Sequence, residues 1–312
     1  MKKSILLFSL VLAVSPLFSK STGDWEKAIN EKLDQSKPLE AQEILKEWKS
    51  NKGESDPQYW VAGGNIWIAM GYTVPAVISN LPVGKYKIGK ATDDSIPIQD
   101  KKTGKTVGQI TDGPPQIDRS KMLKAIDCLD HGVQVAPQRL DIFTGRAHLY
   151  RLMGDLKGEL KALESLATDP KPKGGRFEDG PGSVMKKSLT DYQVDMLNAY
   201  AREHFEKETA YDDNAGVQVA QLLIRKFPKY AQGYNLMAAA ASFKGDWKGS
   251  VLWLDKALAV APADSLVWAN KGRGLEKLKD PAGARKCYEK IIQLNNDPDY
   301  VKAAKEELMK LK

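Results

Sequence analysis

The sequence predicts an all-α chain in which helix pairs repeat, with a small β-hairpin insertion in its first half. Three observations support this fold class. Stretches with one spacing of large, small and proline residues recur along the chain. Hydrophobic residues make up 42% and charged residues 28% of the sequence, so the chain can bury a core. One stretch, 72–117, lacks the helical pattern and alternates apolar with polar residues.

Residues 1–20 have the pattern of a cleavable secretory signal peptide. Lys2 and Lys3 precede an apolar run from Ile5 to Val14, and small and polar residues follow from Pro16 to Ser21. The run is shorter than the about 20 residues that a membrane-spanning helix needs. No cysteine follows it, so a lipid anchor of the bacterial lipoprotein type is not expected. The sequence therefore predicts a periplasmic or secreted protein, and an uncleaved anchor is the alternative.

Residues 21–71 are expected to form a helix pair followed by the first helix of a repeat. The pair comprises Trp25 to Asp34 and Leu39 to Trp48. The third helix, Pro57 to Gly71, carries a spaced set of large and small residues: Trp60, Gly63, Gly64, Asn65 and Trp67. Its partner helix is displaced, because Pro75 and Pro82 interrupt the next stretch. The next suitable helix is Lys121 to Ala136, so about 49 residues are inserted within one repeat.

The insertion, 72–117, is predicted to be a β-hairpin lobe. Lys85 to Ile88 and Ile96 to Gln99 alternate in polarity, and Asp100 to Gly104 is a credible turn into Thr106 to Ile110. Its lysines either present a positive lobe to an acidic partner or an anionic envelope polymer, or protect exposed strand edges from aggregation. They are Lys85, Lys87, Lys90, Lys101, Lys102 and Lys105.

Helix pairs resume at 118–167 and again at 189–297, separated by a Gly/Pro-rich loop at 168–188. The first region includes Leu140 to Met153 with Leu156 to Ala167, and the segment 298–312 is expected to form a closing helix. The pairs at 189–297 are Leu189 to Phe205 with Ala215 to Phe227, and two clearer copies that place Tyr234 and Trp268 34 residues apart. The run Gly154-Asp155-Leu156-Lys157-Gly158 recurs as Gly245-Asp246-Trp247-Lys248-Gly249.

These copies resemble the tetratricopeptide-repeat family, of an exported bacterial type. In that pattern a small residue between two large ones on the first helix receives an alanine and an aromatic residue from the second. Ala238 and Gly272 hold the small position, and Ala257, Ala284 and Tyr288 match the second helix. The resemblance implies an α-α superhelix whose first helices line a concave groove that binds a partner peptide.

The groove residues implied by the resemblance are the positions of each first helix that packing does not use. They are Asn65, Thr144, His148, Arg151, Asn235, Ala239, Asn270, Arg273 and Lys277, of which Asn65, Asn270 and Arg273 are favoured. Amides both donate and accept hydrogen bonds, and a guanidinium binds a carboxylate through two of them. These residues do not form the repeated Lys-Asn clamp of chaperone-tail binders, so that specificity is not expected.

Motifs for catalysis, metals and cofactors are lacking in the sequence. The three histidines, His131, His148 and His204, fall in predicted helices, and only Asp127 with His131 would begin a metal site. Neither Gly63-Gly64 nor Gly272-Arg273-Gly274 belongs to a nucleotide loop. We therefore predict no enzyme activity, no cofactor and no metal.

The two cysteines, Cys128 and Cys287, occupy one register in separate repeats, which disfavours a disulfide within the chain. They are interpreted as packing residues, with a free thiol for an intermolecular bridge as the alternative. Of seven tryptophans, Trp60, Trp67, Trp253 and Trp268 fit core positions. Trp25, Trp48 and Trp247 are either end-cap packing residues or exposed anchors.

The sequence thus predicts a non-catalytic, exported protein-interaction scaffold that binds a protein or peptide in its groove, with the inserted lobe as a further contact. A net charge of +7 spread along helices gives no indication of nucleic-acid binding, whereas association with the cell envelope is expected. The alternative is a periplasmic module, or an enzyme, that binds a glycan or small ligand in a pocket closed by the inserted lobe.

Overall fold

A computed structural model describes residues 22–51, 53–78, 86–88, 95–206 and 214–311. The predicted signal peptide, Lys85 and Lys90 lie outside these described residues. Within them, thirteen α-helices and eight short strands follow one another, so the predicted all-α fold with a small β insertion is confirmed. The helices are α1 (Thr22–Asp34), α2 (Pro38–Ser50), α3 (Pro57–Gly71), α4 (Arg119–Val135), α5 (Leu140–Leu152), α6 (Leu156–Thr168), α7 (Leu189–Glu206), α8 (Ala215–Lys226), α9 (Ala231–Phe243), α10 (Trp247–Val260), α11 (Ser265–Lys277), α12 (Pro281–Leu294) and α13 (Pro298–Lys310). The strands are β1 (Tyr72–Thr73), β2 (Ala76–Ile78), β3 (Tyr86–Ile88), β4 (Ile96–Asp100), β5 (Thr106–Asp112), β6 (Gln116–Ile117), β7 (Glu178–Gly180) and β8 (Ser183–Val184).

The chain divides into two compact units. The first, unit 1, contains the described residues up to 155 together with 171–183, and the second, unit 2, contains 156–170 and 184–311. Helices α1 to α5 and strands β1 to β6 therefore belong to unit 1, and α6 to α13 to unit 2. The predicted pair of α5 with α6 is divided between the two units. Within each unit, consecutive helices pack against each other, such as α3 with α4 and α9 with α10.

One turn recurs between helices. After α5, the Gly154 amide donates to the Arg151 carbonyl and the Asp155 amide to the Tyr150 carbonyl, both at 2.9 Å. The same two hydrogen bonds, three and five residues back, follow α1, α9 and α11, each around a residue with positive φ. These residues are Ser36 (φ 58°), Gly154 (67°), Gly245 (75°) and Lys279 (60°). The pattern is a Schellman motif, which closes a helix and reverses the chain.

An aromatic residue in the first helix of three repeats makes one hydrogen bond in common. Trp60 and Trp268 donate from Nε1 to the carbonyls of Glu54 and Pro262, each at 2.9 Å, and Tyr234 donates from Oη to Pro228 at 3.1 Å. Each carbonyl lies six residues before its aromatic residue. The bond ties the helix to the segment that leads into it, which explains why this position holds Trp or Tyr.

Helix α4 is the partner of α3, as the sequence predicts. A Cβ placed on Gly64 would lie 3.4 Å from Leu129 Cδ2, and one on Gly63 would lie 3.2 Å from Cys128 Sγ. The two helices thus approach closely at the glycines. In unit 2 a Cβ on Gly272 would lie 2.7 Å from the Tyr288 ring, which is the same small-to-large contact. Helices α3 and α4 remain paired despite the insertion because β1 and β6 bring its two ends together. These strands are antiparallel, with Thr73 opposite Gln116.

The insertion between α3 and α4 is a four-stranded antiparallel sheet with strand order β2-β5-β4-β3. Its central hairpin is closed by Asp100, whose carboxylate accepts from the Lys102 and Thr103 amides at 2.9 and 2.7 Å. These bonds hold the pKa of Asp100 below its usual range. Gly104 follows with φ 69°. The predicted hairpin turn is therefore present, in a sheet with more strands than the sequence analysis placed.

The loop predicted at 168–188 contains a short hairpin of β7 and β8. Gly182, with φ 67°, lies in its turn. The Glu178 amide donates to the Gln138 carbonyl at 2.9 Å, which fastens the segment to the chain before α5. The sequence does not indicate these strands because they are only three and two residues long, too short for a period-two pattern.

Candidate functional site

Three of the predicted groove residues come together in unit 2. Asn235 lies on α9, and Asn270 and Arg273 lie one turn apart on α11. Asn270 Nδ2 donates to Asn235 Oδ1 at 2.8 Å, and Arg273 Nη2 donates to Asn270 Oδ1 at 2.9 Å. The three side chains form a continuous polar chain across the two helices, which we call the Asn-Arg chain.

The Asn-Arg chain borders a cavity of about 560 Å³ between α9, α10, α11 and α13. We call it the α9–α11 groove. Ala238 and Ala239 line it on α9, and their small side chains leave space next to that helix. Phe243, 53% exposed, and Trp247 form its apolar part. An exposed aromatic surface next to a polar chain provides both contact area and directional hydrogen bonds.

In the α9–α11 groove the two carboxylates accept hydrogen bonds, whereas the two cations have no carboxylate nearby among the described residues. Glu276 accepts from Tyr288 Oη, and burial together with this bond raises the pKa of Tyr288. Glu307 accepts from Lys310 Nζ at 2.9 Å. Among the described residues, neither Arg273 nor Lys277 has a carboxylate within 4.0 Å, although Lys277 Nζ lies 5.9 Å from the Trp247 ring. Two cations are therefore available to a partner's acidic group.

The other predicted groove residues lie in unit 1. Asn65, on α3, is half-buried, and its Nδ2 is buried with no hydrogen-bond partner among the described residues. His148 and Arg151 lie on α5, where Arg151 and Thr144 are each only 8% exposed. Arg151 thus presents little surface to a partner. The role of these residues in binding stays a prediction.

A buried polar network in unit 1 escaped the sequence analysis. Glu26 accepts from Gln58 Nε2 at 3.0 Å, Gln58 accepts from Arg139 Nη1 at 2.8 Å, and Arg139 forms two bonds to Asp141 at 2.8 and 2.7 Å. Arg139 is 2% exposed, and burial raises the pKa of Glu26. The Gln58–Arg139 contact spans 81 residues of sequence, so no local pattern indicates it. Its burial indicates a structural role.

His131 and His204, two of the histidines considered as catalytic or metal-binding residues, contact other side chains. His131 stacks on Trp60 with ring centroids 4.4 Å apart, and its Nδ1 lies 2.8 Å from the Asp127 carbonyl oxygen. His204 Nε2 lies 3.0 Å from Glu159 Oε1, both buried. Within the described ranges, no three His, Cys, Asp or Glu side chains are grouped as metal ligands.

Cys128 and Cys287 are both free thiols, in unit 1 and unit 2 respectively. Burial raises the pKa of each to about 11. A thiol with such a pKa stays protonated at neutral pH and is a poor nucleophile. The contact of Cys128 with Gly63 and the 2% exposure of Cys287 agree with the packing interpretation.

The tryptophans left open by the sequence differ from one another. Trp48 is 3% exposed and packs edge-on against Tyr59 with centroids 5.8 Å apart, so it is a core residue of unit 1. Trp247 is half-buried in the α9–α11 groove.

None of the helices in the described ranges has the length and apolar character needed to cross a membrane.

Comparisons with known proteins give weak similarity. No protein-family model matches this chain, and no curated protein matches it in sequence. Similar solved structures include the first TPR of Spaghetti (RPAP3) bound to the HSP90 peptide SRMEEVD, with 18% identity, 38% of this chain, 91% of that chain and a TM-score of 0.33. MamA has 12% identity over 57% of this chain and 90% of its own, with a TM-score of 0.35. TTC0263, a TPR protein in Thermus thermophilus, has 15% identity over 61% of this chain and 92% of its own, also at 0.35. Similarity this low does not indicate what the chain binds. The tetratricopeptide-like fold is inferred from the chain's own helix pairs and turns.

Proposed function

We propose that this chain is a non-catalytic scaffold that binds a segment of a partner protein in the α9–α11 groove. The Asn-Arg chain carries the proposal. Its members are held by hydrogen bonds to one another before a partner arrives, so binding would order few additional side chains.

The groove offers what an extended or helical segment requires. Amides of Asn235 and Asn270 can exchange hydrogen bonds with a peptide backbone, and Arg273 can bind a carboxylate. Phe243 and Trp247 supply the apolar contact area from which most binding energy at such surfaces derives.

Site-specific photo-crosslinking tests the proposal. We would replace Phe243 by p-benzoylphenylalanine in the full chain, irradiate cells of the source organism and identify crosslinked proteins. We expect one discrete product, reduced at least about fivefold when Arg273→Ala is added, because an interface arginine contributes more than about 1 kcal/mol. Among the described residues, exposed Arg273 donates one side-chain hydrogen bond, to Asn270, so its removal should leave stability nearly unchanged.

Two controls distinguish binding in the groove from nonspecific binding elsewhere on the chain. The same photo-reactive residue at Leu252, which is 64% exposed on α10 and does not line the groove, should give no discrete product. Arg285→Ala removes an exposed arginine that also makes one hydrogen bond, to the Leu311 carbonyl at 2.8 Å, and should leave crosslinking at 243 unchanged. Equal crosslinking from positions 243 and 252 would reject the proposal. A bound glycan or small molecule found by native mass spectrometry, with no protein product, would support the ligand-binding alternative.

We further propose that the chain is exported, on the basis of residues 1–20. Positive, apolar and small polar segments occur there in the order of a secretory signal. When the full chain is expressed in a bacterium with two membranes, we expect it in the periplasmic fraction, shortened by about 20 residues. Intact mass spectrometry of each fraction measures this. An unshortened chain in the cytoplasm would contradict export.

A further inference from the structure

We infer that unit 2 has a second binding surface, a cleft between α6 and α8 that accepts an acidic amphipathic segment of a partner protein. The cleft, here called the α6–α8 cleft, has a volume of about 560 Å³. Its lining residues belong to these two helices alone, so it is separate from the α9–α11 groove. They are Leu156, Lys157, Leu160, Lys161, Glu164, Gln218, Gln221, Leu222 and Arg225.

The spacing of these residues gives the cleft an apolar floor and a cationic rim. Leu156 and Leu160 lie one turn apart on α6, and Leu222, 2% exposed, lies opposite on α8. Lys157 and Lys161 are also one turn apart on α6, and both are exposed. A segment that places leucine-like side chains on the floor would bring the acidic residues flanking its apolar face close to the two lysines.

The charged residues that line the α6–α8 cleft indicate the sign of the charge that a partner segment would carry. Glu164 is the only carboxylate among its described lining residues and is already paired, with Lys226 at 2.8 Å and Arg225 at 3.3 Å. Lys226 is the main cause of the lowered pKa of Glu164. Lys157 and Lys161 have no ion pair within the described ranges. The cleft and its Glu164 partner Lys226 thus hold four cations against one carboxylate, which favours an acidic occupant.

Gln218 and Gln221 add hydrogen-bonding groups on the α8 side of the cleft. Their amides can bond to a peptide backbone or to side-chain carboxylates, whereas a purely electrostatic surface would need only the lysines. The combination of leucine floor, amide wall and lysine rim therefore fits an amphipathic acidic peptide better than an anionic polysaccharide, which lacks apolar side chains.

Fluorescence anisotropy with the full chain tests the inference. The probe is a labelled peptide of about 15 residues with leucine at every third or fourth position and glutamate elsewhere. We expect it to bind the parent chain, and Lys157→Glu with Lys161→Glu to raise its Kd by at least about tenfold. The matched control is Lys286→Glu with Lys290→Glu on α12, which makes the same charge change at the same spacing and should raise the Kd less than about twofold.

Three results would overturn the inference: no binding to the parent chain, an equal loss in the α12 control, or unchanged binding in the Lys157/Lys161 variant. A peptide with glutamine in place of glutamate measures the charge contribution, and one with serine in place of leucine measures the apolar contribution. Both should bind at least about tenfold more weakly. If alginate, an anionic polysaccharide, binds as tightly and loses binding in the same variant, the apolar floor is not used and the occupant is not a peptide. Circular dichroism confirms that each variant is folded.

Discussion

Lys279 occupies a backbone position that glycine holds in two turns of the same kind. Its φ of 60° is in the left-handed region, as are the φ values of Gly154 and Gly245 at the matching positions after α5 and α9. The sequence repeat Gly-Asp-x-x-Gly marks those two turns, and the structure adds Lys279-Asp280-Pro281-Ala282-Gly283 as a third copy that begins with lysine. A side chain with a Cβ is strained at this φ by about 1–2 kcal/mol.

We expect Lys279→Gly to raise the free energy of unfolding by about 1 kcal/mol, because relief of strain exceeds the added entropy of the unfolded chain. Urea unfolding followed by circular dichroism measures this. Gly245→Ala should lower the free energy by a similar amount, since its Cβ would meet no atom within 4 Å and only the backbone strain remains. As a control, Lys286→Gly within α12 should be destabilising by about 1 kcal/mol. A destabilised Lys279→Gly variant would show that the turn is not strained.

The buried His204–Glu159 pair links α7 to α6 inside unit 2. His204 is 8% exposed and Glu159 1% exposed, with Nε2 3.0 and 3.1 Å from the two carboxylate oxygens. We expect His204→Ala to lower the free energy of unfolding by about 2–3 kcal/mol, because it leaves a cavity and removes a partner from a buried carboxylate.

Arg202→Ala is the matched control on the same helix. Arg202 pairs with Glu206 at 3.4 Å, and the two side chains are 64% and 66% exposed, so its loss should change the free energy by less than about 0.5 kcal/mol. Similar losses in the two variants, measured by urea unfolding, would mean that burial adds nothing to the His204 contact.

At the scale of helices and strands, local patterns were sufficient for most of the fold. The helix pairs, the displaced partner of α3 and the Asp100 turn follow from periodicity, proline and turn chemistry, all of which act within a few residues. Features that depend on distant contacts were not predictable. No local pattern indicated that Arg139 reaches Gln58, and Trp48 looked like a terminal residue until α3 was seen to cover it with Tyr59. Asn235, Asn270 and Arg273 were chosen from sequence, yet their mutual hydrogen bonds required the structure.

The inserted sheet is attached to the helix pair through two adjacent strands. Thr73 in β1 pairs with Gln116 in β6, and the Asp118 amide donates to the Gly71 carbonyl at 2.7 Å, so the lobe begins and ends at one place. We expect replacement of residues 74–115 by Asn-Gly to leave α3 packed on α4, because a two-residue turn can join paired antiparallel strands. The helical circular dichroism signal and the unfolding midpoint of the remaining chain measure this.

The same deletion tests the role of the lobe's lysines. Lys87, Lys101, Lys102 and Lys105 are exposed, so they are available either to an acidic partner or as protection of the sheet edges. If crosslinking from position 243 and export are unchanged in the deleted chain, the lobe is not needed for the proposed groove function. Aggregation of the deleted chain, or a loss of its helical circular dichroism signal, would show instead that the sheet stabilises the α3–α4 pair.

For the molecule as a whole, each compact unit contains one thiol that reports its opening. Cys128, which is half-buried, belongs to unit 1 and the buried Cys287 belongs to unit 2, and a pKa of about 11 makes both thiols slow to react in the folded chain at neutral pH. In an array of repeats, stability is a sum of terms between neighbours, so a local destabilisation need not spread along the whole chain.

We therefore expect His204→Ala, in unit 2, to lower the urea midpoint for labelling of Cys287 by about 1 M, and that of Cys128 by clearly less. Cys128→Ser and Cys287→Ser variants each leave one thiol, so that labelling by a thiol reagent reads one unit at a time. Phe143→Ala, which removes a fully buried ring from unit 1, is the reciprocal change and should act mainly on Cys128. Equal shifts at both thiols in both variants would show that the chain unfolds as one cooperative body, because each perturbation would then reach the distant unit at full strength.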